Sequence, residues 1–107
     1  MPERARLGEV ASLVEVLYFE SCPNVEATRR AVESVAGVNV RMVLVETPDD
    51  AERLGFLGSP SVRVDGRDIE PGADDRTDYA LACRVYRTSE GMSGLPDMSW
   101  LRAALSR

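Results

Sequence analysis

The clearest structural signal in the sequence is the run SLVEVLYF, from Ser12 to Phe19, which is rich in Val, Leu and aromatic residues and contains one charged residue. This composition is typical of a strand that is buried on both faces. The chain has 107 residues, of which 44% are hydrophobic and 29% charged, and its apolar runs are short. We therefore expect one globular domain that contains this strand, and no membrane-spanning segment.

An amphipathic helix is predicted directly after this strand. Apolar or small residues recur at three- and four-residue steps from Val25 to Val35, with charged residues on the other face. Pro23 suits the first position of a helix, because its missing N–H has no partner there, and Gly37 suits the left-handed residue that ends one. The sequence thus predicts Cys22 at the N-cap of this helix.

The full predicted order of elements is strand, helix, strand, helix, strand, strand, helix. The later bounds are Val38 to Glu46 for the second strand, Thr47 to Gly55 for a short helix capped by Thr47, Ser61 to Val64 and Arg67 to Ile69 for a hairpin with an Asp65-Gly66 turn, and Pro96 onward for the last helix. Residues 1 to 11 are predicted to be a poorly ordered leader, and residues 12 to 107 the domain. The middle of residues 70 to 95 is either a short helix or irregular.

Composition narrows the chemistry that the chain can perform. The chain contains no histidine, which excludes Ser-His and Cys-His catalytic pairs and removes the commonest metal ligand. Its net charge is -5 and its arginines are scattered, so neither nucleic acid nor a membrane is an expected partner. Two cysteines, Cys22 and Cys83, are too few for a disulfide framework. Without a signal segment before them, they indicate a cytoplasmic protein whose thiols are reduced at rest.

Two blocks of residues carry a resemblance to a known family. They are Tyr18-Phe19-x-x-Cys22-Pro23 and Gly58 to Ile69 followed by Pro71-Gly72-Ala73-Asp74-Asp75. Together with the order of elements, the two blocks resemble the thioredoxin-like superfamily and, within it, the glutaredoxins. The resemblance implies an α/β thioredoxin-like fold with a central four-stranded mixed sheet, in which residues 70 to 95 form an insertion before the last helix.

The resemblance implies that Cys22 is the nucleophile of a thiol-disulfide oxidoreductase. A thiol at a helix N-terminus faces unpaired N–H groups and the positive end of the helix dipole, and both favour the thiolate. The family has a second thiol three residues later, where this chain has Val25. Cys83 is then the one internal candidate for a resolving thiol. The alternative is that Cys83 packs in a small satellite core of the insertion.

Substrate-binding residues are implied on both sides of the hairpin. Pro60 matches the family's cis-proline, whose bond turns the backbone of Ser59 outward beside the thiol, where an extended substrate can pair with it. Pro23 lies next to the cysteine, and Gly72 and Asp74 match the step with which glutaredoxins help to bind glutathione. A proline replaces one glycine of that step, and an acidic residue precedes the cysteine where a basic one is common. We therefore expect no bound cofactor, with glutathione as the one alternative left open, and a protein or small-molecule thiol or disulfide as substrate.

Two other classes of function stay open. Two thiolates without histidine suit a soft ion such as Cu(I) or Hg(II), and residues 81 to 86 resemble short thioredoxin-like chains associated with organomercurial lyases. The other possibility is a thioredoxin-like scaffold without redox activity that binds a partner, which Val25 in place of a second cysteine favours. The aspartates between residues 74 and 78 are interpreted as a solvated loop, because they lack the spacing of a calcium site.

Overall fold

Three helices and six strands make up the part of the chain that the computed structural model describes, residues 12 to 37 and 40 to 106. The predicted leader of residues 1 to 11 lies outside the described residues. The elements are β1 (Val14–Tyr18), α1 (Val25–Ala36), β2 (Arg41–Leu44), α2 (Pro48–Leu54), β3 (Ser61–Val64), β4 (Arg67–Asp68), a 3-10 turn (Ala73–Asp75), β5 (Tyr86–Thr88), β6 (Gly91–Ser93) and α3 (Met98–Leu105).

The central sheet has four strands in the order β2-β1-β3-β4. β1 pairs in parallel with β2 and antiparallel with β3, and β3 pairs antiparallel with β4. The expected α/β class with a four-stranded mixed sheet is therefore confirmed. β2 is shorter than the predicted strand, whose first two residues lie outside the described part of the chain.

β1 is buried on both faces, as its composition predicts. Val14 and Val16 belong to a core cluster that includes Val32 of α1 and Leu101 of α3. Leu17 belongs to a second cluster, whose buried members also include residues of α2 and of the loop after it. Helices α1 and α3 thus cover one face of the sheet and α2 covers the other. In the described residues, no helix is long and apolar enough to cross a membrane.

The segment before the last helix departs from the predicted order of elements. It contains a 3-10 turn and a second, two-stranded sheet, in which β5 and β6 pair antiparallel from Tyr86 opposite Ser93 to Thr88 opposite Gly91. Strands of three residues are too short to show an alternating pattern, which is why residues 70 to 95 predict no strand.

The start of α1 also differs from its prediction. The helix begins at Val25 with Asn24 as its N-cap, so the placement of Cys22 at the cap was wrong by two residues. The reason is that the C=O of Asn24 accepts hydrogen bonds from both the N–H and the hydroxyl of Thr28, at 3.1 and 2.7 Å. Helical bonding therefore starts at Asn24, and Pro23 precedes the helix.

Candidate functional site

Cys22 lies in the turn that connects β1 to α1. Its N–H donates to the C=O of Phe19 at 3.1 Å, which closes the turn. Only 7% of Cys22 is exposed, and its thiol is free. The position three residues later is Val25, the first residue of α1, so the turn presents a single thiol.

The peptide bond between Ser59 and Pro60 is cis, as the resemblance implies. Ser59 is completely buried, and its hydroxyl oxygen accepts a hydrogen bond from the N–H of Phe19 at 3.3 Å. Phe19 therefore links the two parts of the candidate site, since its C=O holds Cys22 and its N–H holds Ser59. The register of β1 and β3, with Leu17 opposite Ser61, places both parts at the same end of the sheet.

The backbone of Ser59 is already paired within the chain. Its N–H donates to the C=O of Ala82 at 2.8 Å, and its C=O accepts from the N–H of Arg84 at 2.9 Å. The two bonds form a parallel bridge between Ser59 and Cys83. The expectation that Ser59 offers an open backbone to a substrate is thus not met in this structure, because the insertion occupies that edge.

Arg84 fixes the insertion on the sheet. It is 3% exposed, and its guanidinium donates to the hydroxyl of Ser61 at 2.7 Å, to both carboxylate oxygens of Asp68 at 2.7 and 3.1 Å, and to Glu70 at 2.7 Å. It also lies over the ring of Tyr86, 4.4 Å from the centroid. Burial by itself would lower the pKa of Arg84. The hydrogen bond to Asp68 and the neighbouring charges outweigh it and raise the pKa of Arg84 above its usual value.

Tyr86 adds a second contact between the insertion and the cis-proline. Its hydroxyl donates to the C=O of Pro60, and its ring is 1% exposed and packs at a tilt against Trp100 of α3. Burial raises the pKa of Tyr86 above its usual value, so the hydroxyl keeps the proton that it donates. The sequence predicts no role for Arg84, because no local pattern around it indicates its distant partners.

Cys83 is exposed, and its thiol is free. Its neighbour Val85 is 61% exposed, so the alternative of a satellite core around Cys83 is wrong. The backbone of Cys83 lies beside that of Ser59. The structure therefore brings Cys22, Ser59, Pro60 and Cys83 to one end of the sheet.

Gly72 and Asp74, the residues of the implied glutathione step, follow the β3-β4 hairpin in the chain. The carboxylate of Asp74 accepts from the guanidinium of Arg67 at 2.6 Å, on the surface. Arg67 is paired with Val64, at the opposite end of β3 from Ser61. Asp74 is thus placed near the turn of the β3-β4 hairpin, and Gly72 lines a shallow pocket together with Asp74 and Asp68.

A groove of about 240 Å³ adjoins the Cys22 turn. Its lining residues are Phe19, Glu20, Ser21, Leu44, Val45, Glu46 and Leu81. Two of its side chains are carboxylates and the rest are apolar or a hydroxyl, so the groove is suited to an uncharged or cationic small molecule. Across residues 12 to 37 and 40 to 106, no three Cys, Asp or Glu side chains are grouped where they could hold a metal ion.

Comparison with family models, with curated proteins and with solved structures finds no match for this chain.

Proposed function

We propose that the chain has a thioredoxin-like fold and takes part in thiol-disulfide exchange with Cys22 as its nucleophile. The observation that carries this proposal is the pair of hydrogen bonds through Phe19, which ties the Cys22 turn to Ser59, the residue before Pro60. The sheet order β2-β1-β3-β4, with β1 and β2 parallel and two helices on one face, supports the fold.

The proposed chemistry needs only thiols and a disulfide substrate. The Cys22 thiolate attacks one sulfur of R–S–S–R, so a Cys22–S–S–R bond forms, the substrate bond breaks, and R–S⁻ leaves and takes up a proton. In the second step a Cys83 thiolate attacks the Cys22 sulfur and releases the second R–S⁻, which also takes up a proton. The substrate is then reduced to two thiols, and Cys22 and Cys83 are oxidised to a disulfide by the same two electrons.

The position of Cys83 supports its part in the second step. Its backbone is bridged to Ser59, which is bonded in turn to Phe19 of the Cys22 turn. Cys83 is exposed, so its thiol is available for attack once Cys22 carries the mixed disulfide. An internal disulfide needs Cα atoms within about 7 Å. A small thiol in solution replaces Cys83 in this step if the insertion does not bring the two sulfurs together.

Peptide mapping after exposure to bis(2-hydroxyethyl) disulfide tests the proposal. We expect the wild-type protein to form a Cys22–Cys83 disulfide, and the Cys83→Ser variant to accumulate the mixed disulfide on Cys22. In the matched Cys22→Ser variant, Cys83 is expected to react no faster than a cysteine in an unstructured peptide. Equal consumption of the disulfide by the Cys22→Ser variant and by the wild type would contradict a nucleophilic role for Cys22.

A second candidate is a thioredoxin-like scaffold that binds a partner without redox chemistry. The occupied backbone of Ser59 and the burial of Cys22 favour it, because both limit access to the thiol. The same experiment separates the two functions. If Cys22 stays unmodified in the folded protein and reacts only after denaturation, the scaffold is the better description.

A further inference from the structure

An extended peptide that carries a disulfide to Cys22 can bind as an added strand where a free strand edge lies beside the Cys22 turn. Ser59 is placed to offer one, because it lies beyond the end of β4, which pairs with β3 only at Arg63 and Val64. In this structure both backbone groups of Ser59 are bonded to residues 82 to 84. The insertion thus takes the place that an incoming strand would occupy.

Two main-chain hydrogen bonds alone attach residues 82 to 84 to Ser59 only weakly. The side chain of Arg84 attaches them more strongly. The Arg84 side chain is 2% exposed, and its guanidinium donates hydrogen bonds to the hydroxyl of Ser61 and to the carboxylates of Asp68 and Glu70. All three partners belong to β3, to β4 or to the residues that follow β4. Lifting residues 82 to 84 from Ser59 would leave these carboxylates without their buried cation.

Gly58 allows the insertion to approach this closely. A Cβ at Gly58 would lie 2.9 Å from Cβ of Arg84, which is nearer than real Cβ atoms come, and 3.1 Å from the C=O oxygen of Ala82, which is tighter than most Cβ contacts. Gly91 has a similarly positive φ, +107° against +122°, but a Cβ there would meet nothing within 4 Å. Comparing an alanine substitution at Gly58 with one at Gly91 therefore separates the steric effect at Gly58 from the conformational cost of a side chain at positive φ.

We propose that Arg84 is a specificity-determining residue of the Cys22 site. By holding residues 82 to 84 on Ser59, it excludes extended polypeptide disulfides and leaves the site to small disulfides. A small disulfide needs no strand edge, and a groove of about 240 Å³, lined by Glu20 and Ser21 among others, adjoins the Cys22 turn. This inference rests on the proposed function, since it concerns which disulfides reach Cys22.

The test compares two probes on one set of variants, all made with Cys83→Ser so that mixed disulfides form on Cys22 alone. The small probe is bis(2-hydroxyethyl) disulfide, and the peptide probe is a short extended peptide whose single cysteine forms a mixed disulfide with 2-mercaptoethanol. The variants are Arg84→Met, the conservative Arg84→Lys, Gly58→Ala and the control Gly91→Ala. Hydrogen exchange at the N–H groups of Ser59 and Arg84 reports directly on the docking of the insertion.

We expect the wild-type site to prefer the small probe. In Arg84→Met and Gly58→Ala the ratio of the peptide rate to the small-probe rate should rise about tenfold, the factor that corresponds to about one net hydrogen bond. Both N–H groups should exchange faster. Arg84→Lys should restore much of the wild-type ratio, and Gly91→Ala should leave it unchanged. A purely structural role for Arg84 would alter both rates together and leave their ratio unchanged.

Arg84→Met removes a buried cation, so loss of folding is a real risk for that variant. Gly58→Ala keeps every charge and tests the same docking. An unchanged ratio despite faster exchange at Ser59 overturns the inference, as does a wild-type protein that takes both probes equally well. If neither probe reacts with Cys22 in any folded variant, the proposed function fails, and the inference fails with it.

Discussion

Asp68 binds the buried guanidinium of Arg84 through both of its carboxylate oxygens, at 2.7 and 3.1 Å. This ion pair joins β4 of the central sheet to the insertion that covers Ser59. Such a contact is stronger than a hydrogen bond between neutral groups, because both partners are charged and a planar guanidinium matches a carboxylate with two parallel hydrogen bonds. The stability of the insertion therefore depends on Asp68.

We expect Asp68→Asn to lower the free energy of unfolding by about 3 kcal/mol. Removing one partner of a buried ion pair leaves the other charge uncompensated, and such losses are typically about 3–5 kcal/mol. Glu70 still binds Arg84 in this variant, so the lower end applies. Urea unfolding measures the change.

Asp74→Asn is the matched control for Asp68→Asn. Asp74 also pairs with an arginine, Arg67, at 2.6 Å, but both side chains are more than half exposed. Exposed pairs contribute about 0–1 kcal/mol, so this variant should unfold almost like the wild type. Equal losses in the two variants would contradict the importance of the buried pair.

Local signals explain the parts of the fold that could be predicted from the sequence. The buried strand within Ser12 to Phe19, the Asp65-Gly66 turn and the cap at Thr47 are each encoded by a few adjacent residues. Their structures follow from burial, from backbone freedom at positive φ, and from a hydroxyl that reaches a nearby N–H. The mixed sheet follows once these elements are placed in order.

The docking of the insertion could not be predicted in the same way. Arg84 lies 16 residues after Asp68 and 23 after Ser61, and nothing near Arg84 marks it as buried. The bridge from Cys83 to Ser59 is likewise a contact between distant segments. The cap of α1 was misplaced for a smaller reason, because Pro23 is acceptable both just before a helix and at its first position.

The groove beside the Cys22 turn leads to a prediction about substrate charge. Glu20 and Glu46 line it and are exposed to solvent. We expect cystamine, a cationic disulfide, to react faster with Cys22 than glutathione disulfide, an anionic one, when each rate is normalised to the neutral bis(2-hydroxyethyl) disulfide. An exposed charge pair contributes about 1 kcal/mol, which corresponds to about fivefold in rate, and salt should reduce the preference.

Glu20→Gln and Glu46→Gln test this charge effect. Each should slow the reaction with cystamine and speed the reaction with glutathione disulfide. Glu52→Gln removes an equal charge from the exposed face of α2 and should leave both normalised rates unchanged. If all three variants change the rates equally, net charge and not the groove sets the preference.

The cap of α2 provides a prediction about stability. The hydroxyl of Thr47 accepts the N–H of Asp50 at 3.0 Å, which satisfies a donor that the helix itself leaves free. Thr47→Ala should lower the free energy of unfolding by about 1 kcal/mol, within the usual range for loss of a cap. Thr77→Ala changes an exposed threonine outside the helices and should have little effect in the same urea titration.

We expect Asp97 to make the stability of the chain dependent on pH. Its carboxylate accepts hydrogen bonds from the hydroxyl and N–H of Ser99, at 2.7 and 2.9 Å, and from the N–H and hydroxyl of Ser89, at 3.3 and 3.0 Å. These bonds join the start of α3 to the β5-β6 turn, and they lower the pKa of Asp97 from 3.8 to about 2. Because the folded state favours the charged form, the carboxylate stabilises the fold above the ordinary pKa, and this contribution is lost as the pH falls from about 4 to about 2.

Thermal unfolding of Asp97→Asn should therefore give a lower Tm than that of the wild type near neutral pH, with the difference in Tm narrowing as the pH falls from about 4 to about 2. Glu52→Gln corrects for the lost charge, and a gap that stays constant down to pH 2 would show that the charge on Asp97 contributes nothing.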